Sequence, residues 1–455
     1  MKVLLANAPQ IEQHQRRTAI HDSVLRPPPL HLGYLAAALE PMGIEVRIAD
    51  LNFDEQAMDS FQTLLLNHAP DLVGISSTTV SFPQALRLAR LSKKALPHVP
   101  TVLGGCHVSF TAEETLREHT CVDFVVRGEG EQTLQELAAC VQKGQAPEGI
   151  LGVSYRRNGD IVQNPSRPFI RDLNSLPWPA RHLMDLKQPS YNAPGALITS
   201  RGCPGRCIFC SAGAMGGHRY RIRKPELVVD EMEYLHHEHG FRRLAILDDT
   251  FTALPKKLTL PACREIKRRG LQIVWSCESR VDVATPEVLD AMREAGCDRV
   301  QFGVESGSPR VLATLRKGIT LDQVRRAVKY AAGLGMQVYC SFIIGHPDET
   351  EEDARQTIDF IHEIRRLGAR FAALVFLVPF PGTEVYKQRE AYGLTLHETN
   401  WIKFVPSNPI ISTRHLAREK LLQLWVESKI EETPSEKGKE LWNLFRGATP
   451  RPTRT

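Results

Sequence analysis

The chain alternates short apolar runs with amphipathic segments of helical period, and it does so in two separate series. The first series opens with KVLLANA and HLGYLAAALEPMG and continues through DLVGISS and PTVLGG to DFVVRGEGE. Strand–helix alternation of this kind builds a parallel sheet that helices cover on both faces. We therefore predict a doubly wound, Rossmann-like α/β domain over residues 1–145. Its ligand is expected at the carboxyl ends of the strands.

Between the two series the alternation lapses. GVSYRRNGDIVQN predicts a hairpin that turns at Asn158 and Gly159, because both residue types tolerate a positive φ. RDLNSLPWPARHL is punctuated by proline and predicts a connector between domains. Residues 146–194 are thus expected to form a hairpin and a linker.

The second series has six apolar runs, which are ALITSRG, RLAILDD, QIVWSCES, RVQFGVES, QVYCSFIIG and RFAALVFLVPF. Helical segments separate them, so residues 195–385 predict a partial (β/α)6 TIM barrel that is open on one side. In barrels of this kind the chemistry lies at the carboxyl ends of the strands. We expect residues 386–455 to form a small helical, polar segment.

Composition excludes several classes of protein. The 455 residues are 42% hydrophobic and 24% charged, with a net charge of +5, which favours neither nucleic acid nor membrane as a partner. The basic end RGATPRPTRT has the character of a solvated terminus. MKVLLANAP is too short an apolar run for a secretory signal, and no run approaches the roughly 18 residues of a membrane span. A cytoplasmic location is expected.

Three of the ten cysteines fall within eight residues of TSRGCPGRCIFCSAG, at Cys203, Cys207 and Cys210. A disulfide would leave one thiol over, and a structural zinc site usually adds histidines or a second close pair. Three thiolates on one loop suit a cubic iron–sulfur cluster whose fourth iron is open to a non-protein ligand. The loop directly follows the first strand of the barrel. The other seven cysteines are scattered and are expected to be reduced and mostly buried.

This C-x-x-x-C-x-x-C spacing, placed after a strand that opens such a barrel, resembles the radical S-adenosylmethionine superfamily. The resemblance implies a [4Fe-4S] cluster on the three cysteines, with S-adenosylmethionine chelating the open iron and giving a 5′-deoxyadenosyl radical after one-electron reduction. The implied S-adenosylmethionine contacts are Phe209 beside adenine, Asp248 and Asp249 on the methionine ammonium, Arg280 on its carboxylate, Glu305 with Ser306 near the ribose or methionine, and Gly345 near the adenine.

Ordinary structural roles compete with several of these contacts. Phe209 is equally consistent with packing, Asp249 with a helix N-cap, and Arg280 with a surface salt bridge. However, polar groups stand at four strand ends just where the apolar runs stop, in LDDT, CESRVD, GVES and FIIGHPDET. Structure alone does not readily explain that coincidence.

The N-terminal series resembles cobalamin-binding domains. GISSTTVS, LGGCHVS and VVRGEGE follow the third, fourth and fifth strands and place glycines and small polar groups where a long nucleotide tail passes close to backbone. The implied cobalamin contacts are Ser76, Ser77, Thr78, Gly104, Gly105, His107, Gly128 and Glu129. For His107 a role as a capped loop histidine is an alternative.

The usual D-x-H-x-x-G motif is missing from the loop after the first strand. That loop contains His14 and His21 in the wrong frame. The absence is similar to the cobalamin-dependent radical S-adenosylmethionine enzymes, the class B methyltransferase family, and implies a cobalt whose lower face carries no histidine. PPPLHLGYLAAALE and VVRGEGE are also usual in that family. The resemblance covers about residues 1–390.

The resemblance implies a C-methyltransferase that acts on an unactivated, sp3 carbon with methylcobalamin as methyl donor. The substrate would be a peptide or protein side chain or a natural-product precursor. One alternative is a non-methylating enzyme similar to the anaerobic protoporphyrin ester cyclase, and a second is a cobalamin-binding sensor. A low-potential electron donor, flavodoxin or ferredoxin, is the implied partner, and the protein is expected to be a monomer.

Overall fold

A computed structural model of the protein describes residues 1–10 and 25–430. The first sheet has seven strands in the order β2-β1-β3-β4-β5-β6-β7, of which β1 to β5 are parallel. Because β1 lies between β2 and β3, the crossover connections diverge there and leave a crevice at the carboxyl ends of β1 and β3. The strands are β1 Lys2–Asn7, β2 Glu45–Asp50, β3 Leu72–Ser76, β4 Thr101–Gly104, β5 Phe124–Val126, β6 Val153–Arg157 and β7 Asp160–Gln163.

Helices cover both faces of this sheet, which confirms the doubly wound prediction. Alternate side chains of β1 point to opposite faces, so that Leu5 packs with Leu32 and Leu137 on one face. Leu4 packs with Phe61 on the other. The helices are α1 Leu30–Leu39, α2 Ala57–His68, α3 Phe82–Ala95, α4 Cys106–Phe110, α5 Ala112–Glu118 and α6 Glu131–Gln142.

The predicted hairpin forms, but it belongs to the first sheet rather than to a linker. Asn158 and Gly159 have φ of 51° and 92°, as the turn requires. Strand β6 pairs antiparallel with β5, with Phe124 opposite Tyr155. The hairpin therefore covers the edge that β5 would otherwise expose, and the predicted boundary at residue 145 divides one sheet.

The second sheet confirms the predicted partial barrel. Its six parallel strands run in the order β15-β14-β13-β12-β11-β8, and β8 and β15 remain unpaired with each other. The side chains of Trp275, Phe302 and Phe342 are fully buried in its core. The strands are β8 Gly195–Leu197, β9 Ser200–Arg201, β10 Arg221–Ile222, β11 Arg243–Ile246, β12 Val274–Ser279, β13 Cys297–Glu305, β14 Gln337–Ile344 and β15 Ala369–Phe376, with β9 and β10 forming a separate pair. The helices are α7 Ala212–Gly216, α8 Pro225–His237, α9 Leu260–Arg269, α10 Pro286–Glu294, α11 Pro309–Thr314, α12 Leu321–Gly333, α13 Glu351–Arg366 and α14 Glu384–Lys387.

The expectation of a helical, polar C-terminal segment was wrong for residues 395–412. Strands β16 Thr395–Leu396 and β17 Ile411–Ser412 pair antiparallel there, and the helix α15 Arg418–Ile430 follows them. Phe404 and Ile410 are fully buried in one apolar cluster with Ile208 of the cysteine loop. The segment is therefore not a solvated appendage, because its apolar side chains complete the core under that loop. Within the described ranges, no helix is long and apolar enough to cross a membrane.

Candidate active site

The cysteine loop follows β9 and is held by backbone contacts on both sides. Gly202 has a φ of 87°, and a Cβ there would lie 2.4 Å from the carbonyl oxygen of Arg219. No other residue type fits without moving the backbone. The N–H of Cys203 donates to the Gly217 carbonyl at 3.0 Å, and that of Ile208 donates to the Leu315 carbonyl at 3.3 Å. These contacts fix the loop that carries the three thiols.

The thiols lie around the turn of this loop. Cys203 and Cys207 are half-buried and Cys210 is exposed, and all three are free. Desolvation of the thiol within the loop raises the pKa of Cys210 to about 11. Burial also raises the pKa of Cys207, although the nearby cation Lys317 lowers it in part. Iron must therefore displace protons when it binds. No three potential ligands among the described residues converge on a single ion, whereas a cubic cluster takes each thiolate on a different iron.

Asp248 and Asp249 end β11 but face different surroundings. The Asp248 carboxylate is buried and accepts hydrogen bonds from the Thr199 N–H at 2.7 Å, the Thr199 hydroxyl, and the Ser200 hydroxyl at 2.7 Å. These three hydrogen bonds within the chain give Asp248 a structural role, and its ammonium contact stays a prediction. Asp249 is exposed, and its side chain accepts no hydrogen bond from another described residue.

Glu305 and Lys317 form a buried ion pair beside the cysteine loop. Lys317 Nζ lies 2.9 Å from Glu305 Oε1, with both side chains about one-tenth exposed. Burial lowers the pKa of Lys317, but Glu305 outweighs that effect and the net shift is upward. Glu305 has a φ of 74°, and the pairing of β13 with β14 shifts register there. A non-glycine residue in this region is strained, which favours a functional reason for its placement.

A cavity of about 680 Å³ lies at the carboxyl edge of the first sheet. Seven of the eight predicted cobalamin contacts line it, all except His107. Ile198, Arg201 and Met215, which flank the cysteine loop, form part of its wall. The cavity therefore lies between the sheet edge and the mouth of the barrel.

Glu129 joins the cavity rim to the barrel. Its carboxylate accepts hydrogen bonds from Arg201 Nη1 at 3.0 Å, from Arg221 Nη1 at 2.9 Å and from the Ile170 N–H at 2.8 Å. Glu131 accepts from Arg201 Nη2 at 2.6 Å. Glu129 lines the cavity while its carboxylate holds these donors, and its cobalamin contact stays a prediction.

Comparisons with known proteins agree with this arrangement. The model of the radical SAM superfamily matches residues 197–361, and that of the B12 binding domain matches residues 16–138. An uncharacterized methyltransferase of Pyrococcus horikoshii is 39% identical over 399 residues, covering 87% of this chain and 86% of the relative. The chain is a cobalamin-dependent radical S-adenosylmethionine enzyme of the class B methyltransferase family.

Other members show how the family varies. The cytidylyl-2-hydroxyethylphosphonate methyltransferase of Streptomyces wedmorensis is 29% identical, covering 84% of this chain and 82% of the relative. The anaerobic magnesium-protoporphyrin IX monomethyl ester cyclase of Rubrivivax gelatinosus is 29% identical, covering 79% and 66%. The structure of TsrM from Kitasatospora setae, with cobalamin and a [4Fe-4S] cluster bound, has the same fold, with a TM-score of 0.71, 21% identity and coverage of 91% and 79%.

The residues present fit the three cofactors of this family, which are the [4Fe-4S] cluster, S-adenosylmethionine and cobalamin. At the cavity, the Ser77 hydroxyl is buried and has no partner among the described residues. Gly128 has a φ of 74°, and a Cβ there would project into open space. An unpaired buried donor beside open space suits a ligand with polar side groups. At the barrel, the three thiols supply the donor set of the cluster.

The remaining predicted S-adenosylmethionine contacts, Arg280, Ser306, Gly345 and Phe209, differ in their surroundings. Arg280 already donates to both carboxylate oxygens of Asp282, each at 3.0 Å, as the salt-bridge alternative had it. The Ser306 hydroxyl contacts the Thr357 hydroxyl at 3.1 Å and faces α13, so its predicted site role is corrected to a packing role. Gly345 has a φ of 91°, and a Cβ there would lie 3.3 Å from Leu421 Cδ1, so this side of the glycine is packed; its adenine contact stays a prediction. Phe209 is half-buried at the loop, 6.1 Å from the His346 ring, and its adenine contact stays a prediction.

His107 lies outside the cavity, which corrects its predicted cobalamin contact. Its ring packs 4.2 Å from Phe82 and 4.9 Å from Trp401 of the C-terminal segment, and its Nδ1 lies 3.3 Å from the Thr79 hydroxyl. Burial lowers its pKa to about 3. The alternative of a capped loop histidine was also wrong, because α4 begins directly after Gly105 and carries His107 into the core.

Sequence reasoning missed Lys317 and Glu278. Glu278 is accessible from the barrel interior and accepts a hydrogen bond from Gln301 at 3.3 Å. Enclosure raises its pKa to about 7, and the neighbouring charges of Asp249 and Glu305 add to that rise. The signal for Glu278 was an acid within the run QIVWSCES, close to the carboxyl end of a barrel strand. Lys317 lies in LRKGIT after a short helix, where no pattern marks it as buried.

Proposed function

We propose that this enzyme transfers a methyl group to an unactivated, sp3 carbon of a peptide or protein side chain or of a natural-product precursor. The observation that carries the proposal is the shared cavity wall, in which Ser76 and Gly104 of the first sheet face Ile198 and Met215 beside the cysteine loop. When bound, S-adenosylmethionine at the cluster supplies a 5′-deoxyadenosyl radical and methylcobalamin supplies the methyl group. A substrate between the two would meet both.

The chain's own residues would bind and orient the cofactors and the substrate, and they would exclude water from the cavity. Asp249 has free acceptor positions for an ammonium group at the barrel mouth. The Glu305–Lys317 pair supplies fixed charges beside Cys207, where they act without reorganising. Leu25, Leu35 and Phe53 give the cavity an apolar lining that disfavours water. Positioning of this kind supplies much of the acceleration in such enzymes.

A second candidate is cyclisation without methyl transfer, favoured by relatives that carry the magnesium-protoporphyrin ester cyclase name. The methyltransferases among the relatives include the phosphonate enzyme and the hopanoid C-3 methylase of Methylococcus capsulatus, which is 29% identical. The Pyrococcus relative, which is more similar than either, is also named a methyltransferase. These names support methyl transfer over cyclisation.

The test is anaerobic turnover of the reconstituted enzyme with S-adenosylmethionine that carries a deuterated methyl group. The acceptor mixture is a metabolite and peptide extract from a strain lacking the gene. The proposal expects both 5′-deoxyadenosine and a product with the deuterated methyl on carbon. Deoxyadenosine with an unlabelled, dehydrogenated or cyclised product would favour the second candidate. The absence of both 5′-deoxyadenosine and a methylated product would favour a cobalamin-binding sensor.

We also propose a flavodoxin or ferredoxin as electron donor. Pro204 and Arg206 on the cysteine loop are exposed, and a cation beside the cluster suits an acidic carrier. Replacing sodium dithionite with reduced flavodoxin should sustain deoxyadenosine formation. Arg206→Glu should slow it, with no change when dithionite is the donor.

A further inference from the structure

The interior of the partial barrel is open rather than packed. Along β13, β14 and β15, the side chains that face the helices are buried, and those at the alternate positions between them are partly accessible. In closed (β/α) barrels the inward side chains fill the interior in layers. Here one layer is built from the small residues Gly303, Ser341 and Ala373, which stand opposite one another on the three strands. The barrel therefore has room for a ligand inside it.

The next layer of the interior, further from the barrel mouth, carries one acid. Glu278 of β12 stands opposite Gln301, which stands opposite Tyr339, and Tyr339 stands opposite Phe371. Cys277, the residue before Glu278, lies in the outer core, so the alternation of the strand directs Glu278 inward. Its carboxylate is accessible and accepts a single hydrogen bond, from Gln301 Nε2 at 3.3 Å. The acid is thus presented to the open interior.

The charged groups around Glu278 leave it without a cation. Burial raises its pKa to about 7, and the charges of Asp249 and Glu305 add to that rise. Lys317 and Arg299 lower it in part. However, Lys317 is paired with Glu305 at 2.9 Å, and Arg299 lies over an aromatic ring of β14, 3.9 Å from its centroid. Glu278 itself forms no ion pair with any residue that the structure describes. A ligand that brings a positive charge would compensate both the desolvation and the repulsion.

The walls around this acid are mostly apolar. Ile343, Phe371 and Val375 are inward positions that are partly accessible. Pockets of this composition bind the hydrocarbon part of a ligand along the walls and orient it through a few polar groups. Glu278 lies near the carboxyl end of β12, below the mouth that the cysteine loop borders. A ligand held there by one end would extend its carbon chain towards the mouth.

We propose that Glu278 binds a basic nitrogen of the substrate, an amine or a guanidine, inside the barrel. The substrate class is then a nitrogen base with a hydrocarbon chain, such as a basic side chain of a peptide or an amine-bearing precursor. The carboxylate and the protonated nitrogen form a charge-assisted hydrogen bond. That the bound molecule is a substrate rests on the proposed methyl transfer, whereas the nitrogen site itself does not.

The first test is isothermal titration calorimetry of the reconstituted full-length enzyme at pH 7 with n-hexylguanidinium and its neutral isostere n-hexylurea. The guanidinium should bind at least about tenfold more tightly than the urea, because only it forms the charged hydrogen bond. A guanidinium stays protonated, so any proton released on binding comes from the protein. Since Glu278 titrates near pH 7, about half a proton should be released per bound molecule, measured in buffers of different ionisation enthalpy.

Variants assign that signal to Glu278. Glu278→Gln keeps the shape of the side chain and should lose both the proton release and the preference for the guanidinium. Glu287→Gln, at an exposed acid in the first turn of α10, is the matched control and should behave as the parent does. Absent guanidinium binding, equal binding of urea, or unchanged guanidinium binding in Glu278→Gln would overturn the proposal. Where Glu278→Gln loses its cofactors, the comparison of the two probes and the proton release in the parent decide.

The second test examines the product of turnover with deuterated S-adenosylmethionine and the extract. The labelled product should carry a basic nitrogen and bind to a cation exchanger, and at limiting extract its formation should fall about tenfold to a hundredfold in Glu278→Gln. A labelled product without a basic nitrogen would overturn the substrate class and leave methyl transfer standing. Turnover without a labelled product would count against methyl transfer, and calorimetry would then decide the nitrogen site alone.

Discussion

The two adjacent acids after β11 have different roles: Asp248 supports the backbone, and Asp249 is available to bind a ligand. Asp248 is turned inward and ties Thr199 and Ser200, the residues that lead into the cysteine loop. Asp249 points to the barrel mouth, where partial enclosure raises its pKa. An ionised acid in such a place needs a cationic or donor partner, and S-adenosylmethionine carries an ammonium group. The pair therefore predicts different consequences for the same substitution.

Asp249→Asn should weaken S-adenosylmethionine binding by about tenfold to a hundredfold, because a hydrogen bond to a charged group contributes roughly 1.5–3 kcal/mol. Asp248→Asn should instead lower the melting temperature and the iron content, since its amide cannot accept all the donors that the carboxylate satisfies. Equilibrium binding and thermal melting of both variants check this. Equal loss of affinity without loss of stability in Asp248→Asn would support its predicted ammonium contact.

Replacing Cys203, Cys207 and Cys210 together with alanine should abolish the iron–sulfur chromophore of the reconstituted protein. The physical reason is that thiolates hold the cluster and no other cysteine shares the loop. Cys277→Ala, in the buried core of β12, is the matched control and should keep its iron. Full iron and sulfide content in the triple variant would contradict the assignment.

At the scale of elements, periodicity predicted both parallel sheets and the loop that follows each strand. The failures have physical causes in tertiary packing. The sequence of β6 and β7 marks a hairpin but not the sheet edge that it joins. The role of Glu129 depends on Arg201 and Arg221, which lie 72 and 92 residues away in sequence. The segment of Phe404 looked polar because its few apolar residues have no period, yet they complete a core beneath the cysteine loop.

The Glu129 contacts predict a measurable link between the domains. Its side chain is 10% exposed and those of Arg201 and Arg221 are 17% and 12% exposed. Glu129→Gln leaves both guanidinium groups partly uncompensated and should cost on the order of 2 kcal/mol, below the roughly 3–5 kcal/mol of a fully buried pair. Glu148→Gln, which breaks an exposed pair with Arg157, should cost less than about 1 kcal/mol. Chemical denaturation measures both, and equal losses would contradict the link.

His107 predicts how packing of α4 against the C-terminal segment depends on pH. Its pKa of about 3 in the folded protein lies below the ordinary 6.5. Below pH 6.5 the unfolded chain therefore binds a proton that the folded protein refuses, and stability falls as the pH falls from 6.5 towards 3. Between pH 6.5 and 4.5, the free energy of unfolding should depend less steeply on pH in His107→Gln than in the parent, by about 1.4 kcal/mol per pH unit. Denaturation curves measured at several pH values give this slope. The exposed His98→Gln should follow the parent, and an unchanged slope in His107→Gln would show that the ring is protonated in the fold.

At the scale of the whole molecule, one cavity has walls from two sheets, so cobalamin should stabilise both. A ligand at a hundredfold excess over its dissociation constant stabilises the bound state by about 2.7 kcal/mol, which slows exchange through site-breaking openings about a hundredfold. Hydrogen exchange with hydroxocobalamin should therefore protect residues 76–78 and 104–106 of the sheet edge and also residues 198–217 around the cysteine loop, because Ile198, Arg201 and Met215 line the wall. In Glu129→Gln the sheet-edge protection should persist while that of residues 198–217 weakens. Protection confined to the first sheet in the parent protein would mean that the two domains bind their cofactors independently.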